Sequence, residues 1–218
     1  MAKKTIEQRL QRVEDFQQIQ NIMGRYVYYV MAGLQDEIGE KFFSKRPDTR
    51  EYLGEQGYWE GPNAWGKVAA QMAKARPGSP EARVGTMSMH APICPVVEVA
   101  GDGKTAKGVW IGLGLLAMKN RETGEPTGAW EFDKYGVDFI KEDGKWKIWH
   151  HHIYRLLHGW NVDQKWADQF KRPEMGPMPG MTPDGPAIDD NPYRPDTVQR
   201  MVPEPPEPYE TWADTTSY

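Results

Sequence analysis

From Thr5 to Ala32 apolar residues return every three or four positions (Ile6, Leu10, Val13, Phe16, Ile19, Met23, Tyr26, Val30), the spacing of one face of an amphipathic helix. Thr5, with Glu7 and Gln8 behind it, is placed to start that helix, and Gly24 marks a close-packing point or a break. A second helical stretch, Gln35 to Phe43, ends where Arg46-Pro47-Asp48 makes a turn. A short strand is expected within Tyr52–Glu60, and Gly61-Pro62-Asn63 opens a helix over 64–75 that the prolines at 77 and 80 end. The period then changes to two. Strands are expected over 83–99, 105–119, 129–141 and 145–157, with turns at Gly101-Asp102-Gly103, Glu122–Pro126 and Glu142-Asp143-Gly144. Helices followed by a consecutive antiparallel meander predict an α+β domain. The strands are long enough for a curved sheet to wrap the helices and leave a cone-shaped cavity.

Beyond Leu157 the pattern fades. Residues 162–170 read as one or two helical turns, closing a domain over 1–170. The tail from 171 to 218 holds eleven of the chain's eighteen prolines. It is expected to lie against its own domain or a neighbouring subunit of a homodimer or larger homo-oligomer, with Tyr193, Tyr209, Trp212 and Tyr218 as anchors.

Composition narrows the range of partners. A net charge of -4 and a pI near 5.8 give no basic field for nucleic acid or an anionic membrane. No apolar run reaches the length of a membrane span, and the N-terminus lacks a signal-peptide core, so a cytoplasmic protein is expected. With one cysteine, Cys94, no intrachain disulfide forms; its apolar setting predicts a small buried side chain. Nine Trp and ten Tyr suit an aromatic-rich core or a pocket for a ring-bearing ligand.

Three of five histidines fall in Trp146–Tyr154. Period two puts Trp146, Ile148, His150, His152 and Tyr154 on one face and Trp149, His151, Ile153 and Arg155 on the other, unless a bulge exchanges the faces. Paired imidazoles among aromatics fit a ligand pocket, a metal site, or packing with their nitrogens satisfied. Gly112-Leu-Gly114-Leu lacks the context of a dinucleotide fingerprint. Lys134 and Arg155 read as surface charges.

Four segments carry a resemblance to the nuclear transport factor 2-like fold in its SnoaL-like branch, which includes polyketide cyclases, scytalone dehydratase and hexachlorocyclohexane dehydrochlorinase. They are Glu14–Tyr26, Gly57-Tyr-Trp-Glu-Gly61, His90 with Gly101-Asp102 eleven residues on, and Asp143–Ile148. The resemblance covers about residues 5–157. It implies a cofactor-independent lyase or dehydratase working by acid-base transfer on a small aromatic molecule, with His90 as base. The family's partner aspartate falls on Met31 here, so His90 needs another orienting group: Tyr28, Tyr29, Asp138, His150 or His152. Tyr29, Met31, Trp59, Trp110 and Trp130 are expected to line the substrate pocket. Lignin-catabolic enzymes that release formaldehyde from diarylpropane diols look similar in general pattern and in a proline-rich tail. Two other readings stay open: a metal-dependent enzyme with His90, His150 and His152 as ligands, and a non-catalytic binding or assembly module.

Overall fold

Thr5 starts the first helix by a reciprocal pair of bonds. Its hydroxyl accepts the Gln8 amide and the Gln8 side chain accepts the Thr5 amide, which satisfies two N–H groups that a helix start leaves unpaired. A computed structural model describes residues 4–75, 84–120, 123–169, 180–188 and 190–218. Helices α1 (Ile6–Ala32) and α2 (Gln35–Phe42) come first, then strands β1 (Arg50–Leu53) and β2 (Tyr58–Glu60) and helix α3 (Ala64–Ala75). The meander follows as β3 (Met87–Val99), β4 (Thr105–Lys119), β5 (Pro126–Glu142) and β6 (Lys145–Asn161), with a short α4 (Trp166–Gln169). The single strand expected within Tyr52–Glu60 is in fact the β1–β2 hairpin, turned by a 3-10 segment at Gly54–Gln56. The turn expected at 76–80, residue Glu122 and the boundary between 170 and 171 lie outside the described residues.

All six strands form one sheet in the order β2-β1-β6-β5-β4-β3, parallel only where β1 meets β6. Its two ends do not pair, so the sheet is curved and open rather than a closed barrel. On its inner face, Ile19, Met23 and Val27 of α1 pack with Phe42, Phe43 and Trp65 against Trp110, Val137, Phe139, Trp146 and Ile148. Asp15, buried at the same helix face, accepts from Trp146 Nε1 at 2.8 Å and Lys141 Nζ at 2.7 Å and so ties α1 to the β5–β6 hairpin. The start of the helix is different: Ile6, Leu10 and Val13 are more than half exposed, because the apolar stripe runs on past the sheet.

The outer face carries the C-terminal residues. Tyr209 O accepts the Gly101 amide at 2.8 Å, Tyr193 N donates to Leu156 O at 2.9 Å, and Trp212 packs against Trp149 with ring centres 4.7 Å apart. The last residues close over a buried ion pair in which Lys107 Nζ donates to Asp138 Oδ1 at 2.6 Å and to Thr216 O at 2.6 Å. Asp138 Oδ2 also bonds His150 Nδ1 at 2.9 Å, the Ser217 hydroxyl at 2.9 Å and the Tyr218 amide at 3.1 Å. No helix among the described residues is long and apolar enough to cross a membrane.

Candidate active site

Between the sheet's inner face and helices α1 and α3 lies a cavity of about 90 Å³. One wall is apolar, with Val27, Val30, Trp65, Val68 and Met72. The other is charged or polar: Tyr26, Glu51, His90, Glu131, Asp133, Tyr135 and Arg155.

Strand register explains how these groups meet. His90 on β3 stands opposite Gly114 on β4, and Gly112 stands opposite Asp133 on β5. Neighbouring strands lie about 4.8 Å apart, so a β3 side chain reaches β5 only if β4 leaves its surface bare. The two glycines do that. A Cβ on Gly114 would sit 1.8 Å from Glu131 O and 3.1 Å from His90 Nδ1, and one on Gly112 would sit 2.7 Å from the Tyr135 ring. His90 therefore lies across β4 between two carboxylates, with Nδ1 3.5 Å from Asp133 Oδ2 and Nε2 3.5 Å from Glu131 Oε2.

On β6, Arg155 and His158 both reach the same face, which a regular strand forbids for positions three apart. Register shifts make it possible: Asp133 pairs with Arg155 and Phe132 with Leu157, leaving Leu156 as the extra residue of a bulge. His158 Nδ1 then lies 2.6 Å from Glu131 Oε1, and Arg155 Nη1 3.6 Å from the same oxygen. Gly54, at φ 48°, clears the space under the Arg155 stem.

The electrostatics of the two carboxylates diverge. Burial alone would raise Glu131, but the His158 hydrogen bond and the charges of His158, His90 and Arg155 outweigh it and hold its pKa at about 2. For Asp133 burial wins, and the negative Glu131 beside it adds to the rise despite its bond to His90. Burial pulls His90 down, yet the hydrogen bond to Asp133 and the charges of Glu131 and Asp133 push it above its ordinary value. A protonated imidazole held between two carboxylates can give a proton to a leaving group and then recover one.

A second bulge sets a second pair. Asp138 pairs with His150 but Phe139 with Ile148, so Trp149 is extra and the alternation of β6 reverses there. Trp146 and Ile148 face inward, and so do His151, Ile153 and Arg155. His151 Nδ1 meets Glu51 Oε2 at 2.8 Å, with both side chains fully buried. Rings of Tyr26 and Tyr135 lie 5.0 and 5.6 Å from the imidazole.

Of the expected catalytic set, only His90 lines this cavity. Tyr28 is 73 % exposed, on the wrong side of α1. Asp138 lies on the opposite face of the sheet by the alternation of β5, and His150 and His152 lie there because of the Trp149 bulge in β6; Asp138 and His150 hold the tail and His152 stacks between Tyr52 and Tyr154. The three histidines of the metal reading thus stand on two faces. Among the described residues no group of three or more His, Cys, Asp or Glu is arranged to hold a metal ion. None of the expected pocket residues lines the cavity either: Met31 and Trp130 are exposed, Tyr29 packs edge-on against Phe42, Trp59 is in a second core cluster, and Trp110 is in the main core. Arg155 is buried rather than on the surface, and Cys94 is exposed at a β3 bulge, with φ 52°, rather than buried.

The residues that reading missed had a signal. Glu131, Asp133 and Tyr135 share a face with Val137 and Phe139, so polar groups continue an apolar face, and two glycines in β4 fall two residues apart.

A profile of the SnoaL-like domain matches residues 11–152. The chain belongs to the SnoaL-like family. Solved structures with this fold include LinA, at 13% identity and TM-score 0.56 over 73% of this chain and 97% of that one. The LinA-type3 hexachlorocyclohexane dehydrochlorinase of Novosphingobium barchaimii follows at 15% and 0.53, over 72% and 95%. A scytalone dehydratase-like protein of Novosphingobium aromaticivorans is similar at 12% and 0.52, over 77% and 95%. At these identities the likeness shows the nuclear transport factor 2-like fold. A search of curated proteins finds no match. The SnoaL-like family includes dehydratases and dehydrochlorinases that work without a cofactor. Met31, where the resemblance leads one to expect the family aspartate, is 41% exposed, and Asp133 and Glu131 from β5 flank His90.

Proposed function

We propose that this SnoaL-like protein is a cofactor-independent lyase of small aromatic compounds, and that its substrate is a lignin-derived diarylpropane diol cleaved to a stilbene, formaldehyde and water. The observation that carries the reading is His90, held with raised basicity between Asp133 and Glu131 on the polar wall of a cavity whose other wall is apolar. Protonated His90 gives its proton to the departing benzylic hydroxyl, which leaves as water, and the ring forms a quinone-methide-like species. Neutral His90 then takes the proton of the primary hydroxyl. The carbon–carbon bond breaks, formaldehyde leaves, and the electron pair restores the aromatic ring. Asp133 orients the imidazole, while Glu131, fixed as an anion by His158 and Arg155, keeps it charged between turnovers.

At about 90 Å³ the cavity is below the 300–1,000 Å³ of ordinary ligand sites, so a two-ring substrate enters by displacing flexible lining groups such as Met72. The reading is tested by incubating the protein with a phenolic 1,2-diarylpropane-1,3-diol and measuring stilbene absorbance and free formaldehyde. Equal amounts of both are expected. Loss of water without formaldehyde would make the protein a dehydratase, and no reaction with this substrate class would remove the proposal.

A further inference from the structure

The mechanism above uses one end of the cavity and leaves a buried proton-holding pair at the other. Glu51 and His151 are each 0% exposed and face one another as register partners of the parallel β1–β6 pairing. One contact joins them, His151 Nδ1 to Glu51 Oε2 at 2.8 Å. Glu51 Oε1 and His151 Nε2 are buried with no hydrogen-bond partner among the described residues. A buried carboxylate oxygen without a partner bears the full desolvation penalty of a charged group with nothing to offset it. Such a cost is retained where a ligand supplies the missing partner. Glu51 lines the same cavity as His90, together with Tyr26 and Tyr135, whose rings lie 5.0 and 5.6 Å from the His151 imidazole.

We infer that the Glu51–His151 pair is the binding group for a phenolic hydroxyl of the substrate and the acceptor of its proton during turnover. This rests on the lyase reading for its reaction and on the cavity alone for its binding. In the first half-reaction the phenolic O–H bond breaks and its proton passes to the pair, while the ring oxygen's electrons expel the benzylic hydroxyl, which leaves with the His90 proton as water. In the second half-reaction His90 takes the proton of the primary hydroxyl, the carbon–carbon bond breaks to give formaldehyde, and its electrons return to the ring. The pair then gives its proton back to the phenolate, so both proton stations end as they began. Burial, which raises Glu51 above the ordinary carboxylate range despite the charge and hydrogen bond of His151, makes that carboxylate a better acceptor than one in water.

The test is binding of phenol and of its methyl ether, anisole, followed by calorimetry. Both rings fit the apolar wall alike, but only phenol can donate to Glu51. The wild type is expected to bind phenol about tenfold more tightly than anisole or better, the factor that one buried hydrogen bond to a charged group supplies. Glu51→Gln and His151→Gln should each remove most of that preference, and His90→Asn should keep it. Equal affinity of the wild type for the two probes overturns the proposal without recourse to any variant, and so does a preference that survives in a folded Glu51→Gln protein. If the preference behaves as expected but the wild type releases no formaldehyde from the diol, the lyase reading fails and the phenol site stands.

Discussion

In the proposed reaction His90 carries the proton transfers, and its surroundings make its behaviour with pH definite. Its folded pKa is raised by Asp133 and Glu131, so its charged form persists above its ordinary value near 6.5 and is lost as pH rises further. If the protonated form starts the reaction, kcat should be level near neutral pH and fall on the alkaline side through an apparent pKa above 6.5. An Asp133→Asn variant should move that limb toward lower pH, which a pH–rate profile of both proteins will show. Glu131 makes the opposite prediction for stability. Its depression from 4.5 to about 2 amounts to ~3 kcal/mol, present above the unfolded value and lost as pH falls through about 2. The melting temperature of the wild type should therefore decline more steeply than that of Glu131→Gln between roughly pH 4.5 and 2, the window set by those two pKa values.

Elements decide which residues meet, and here the sequence was readable to different depths. The span of α1, the extent of β4 and the order of the meander follow from periodicity, because helix and strand place apolar residues at different spacings. Which face of a strand looks inward does not follow once a bulge intervenes. The extra residue Trp149 turned His150 and His152 outward, and the extra residue Leu156 brought Arg155 and His158 together beside Glu131. Such bulges are a product of pairing with β5, and no local pattern in β6 announces them. The carboxylates beside His90, Asp133 and Glu131, come from a strand about forty residues on in the chain and two strands away in the sheet, a contact only the fold creates.

Glycines sharpen the same point. Gly24, expected to mark close packing or a break, does neither: the helix runs through it and a Cβ there would meet nothing within 4 Å. Gly24→Ala should stabilise the protein by about 0.5–1 kcal/mol, read as a rise in melting temperature with unchanged turnover. Gly114→Ala should do the reverse. Its Cβ would collide with the Glu131 backbone and crowd His90, so both stability and turnover should drop.

At the scale of the molecule each face of the sheet carries a polar cluster, and the two do separate work. The inner one holds the cavity; the outer one holds the tail through Lys107, Asp138 and His150. Asp138→Ala would leave the buried Lys107 charge without its partner, and loss of one member of such a pair costs about 3–5 kcal/mol. Chemical denaturation should show that loss, while any folded fraction retains the inner-face site. On the proposed reading the division also assigns the histidines: those on the outer face, His150 and His152, hold structure, and His90 carries the reaction. The most direct check of that claim is kcat of His90→Asn on a phenolic diarylpropane diol, beside a His150→Asn control, with folding of each confirmed by its melt. The account predicts a fall of about 10²–10⁴-fold for His90→Asn and a far smaller change in the folded His150→Asn protein. A folded His90→Asn protein that turns over at the wild-type rate would contradict it.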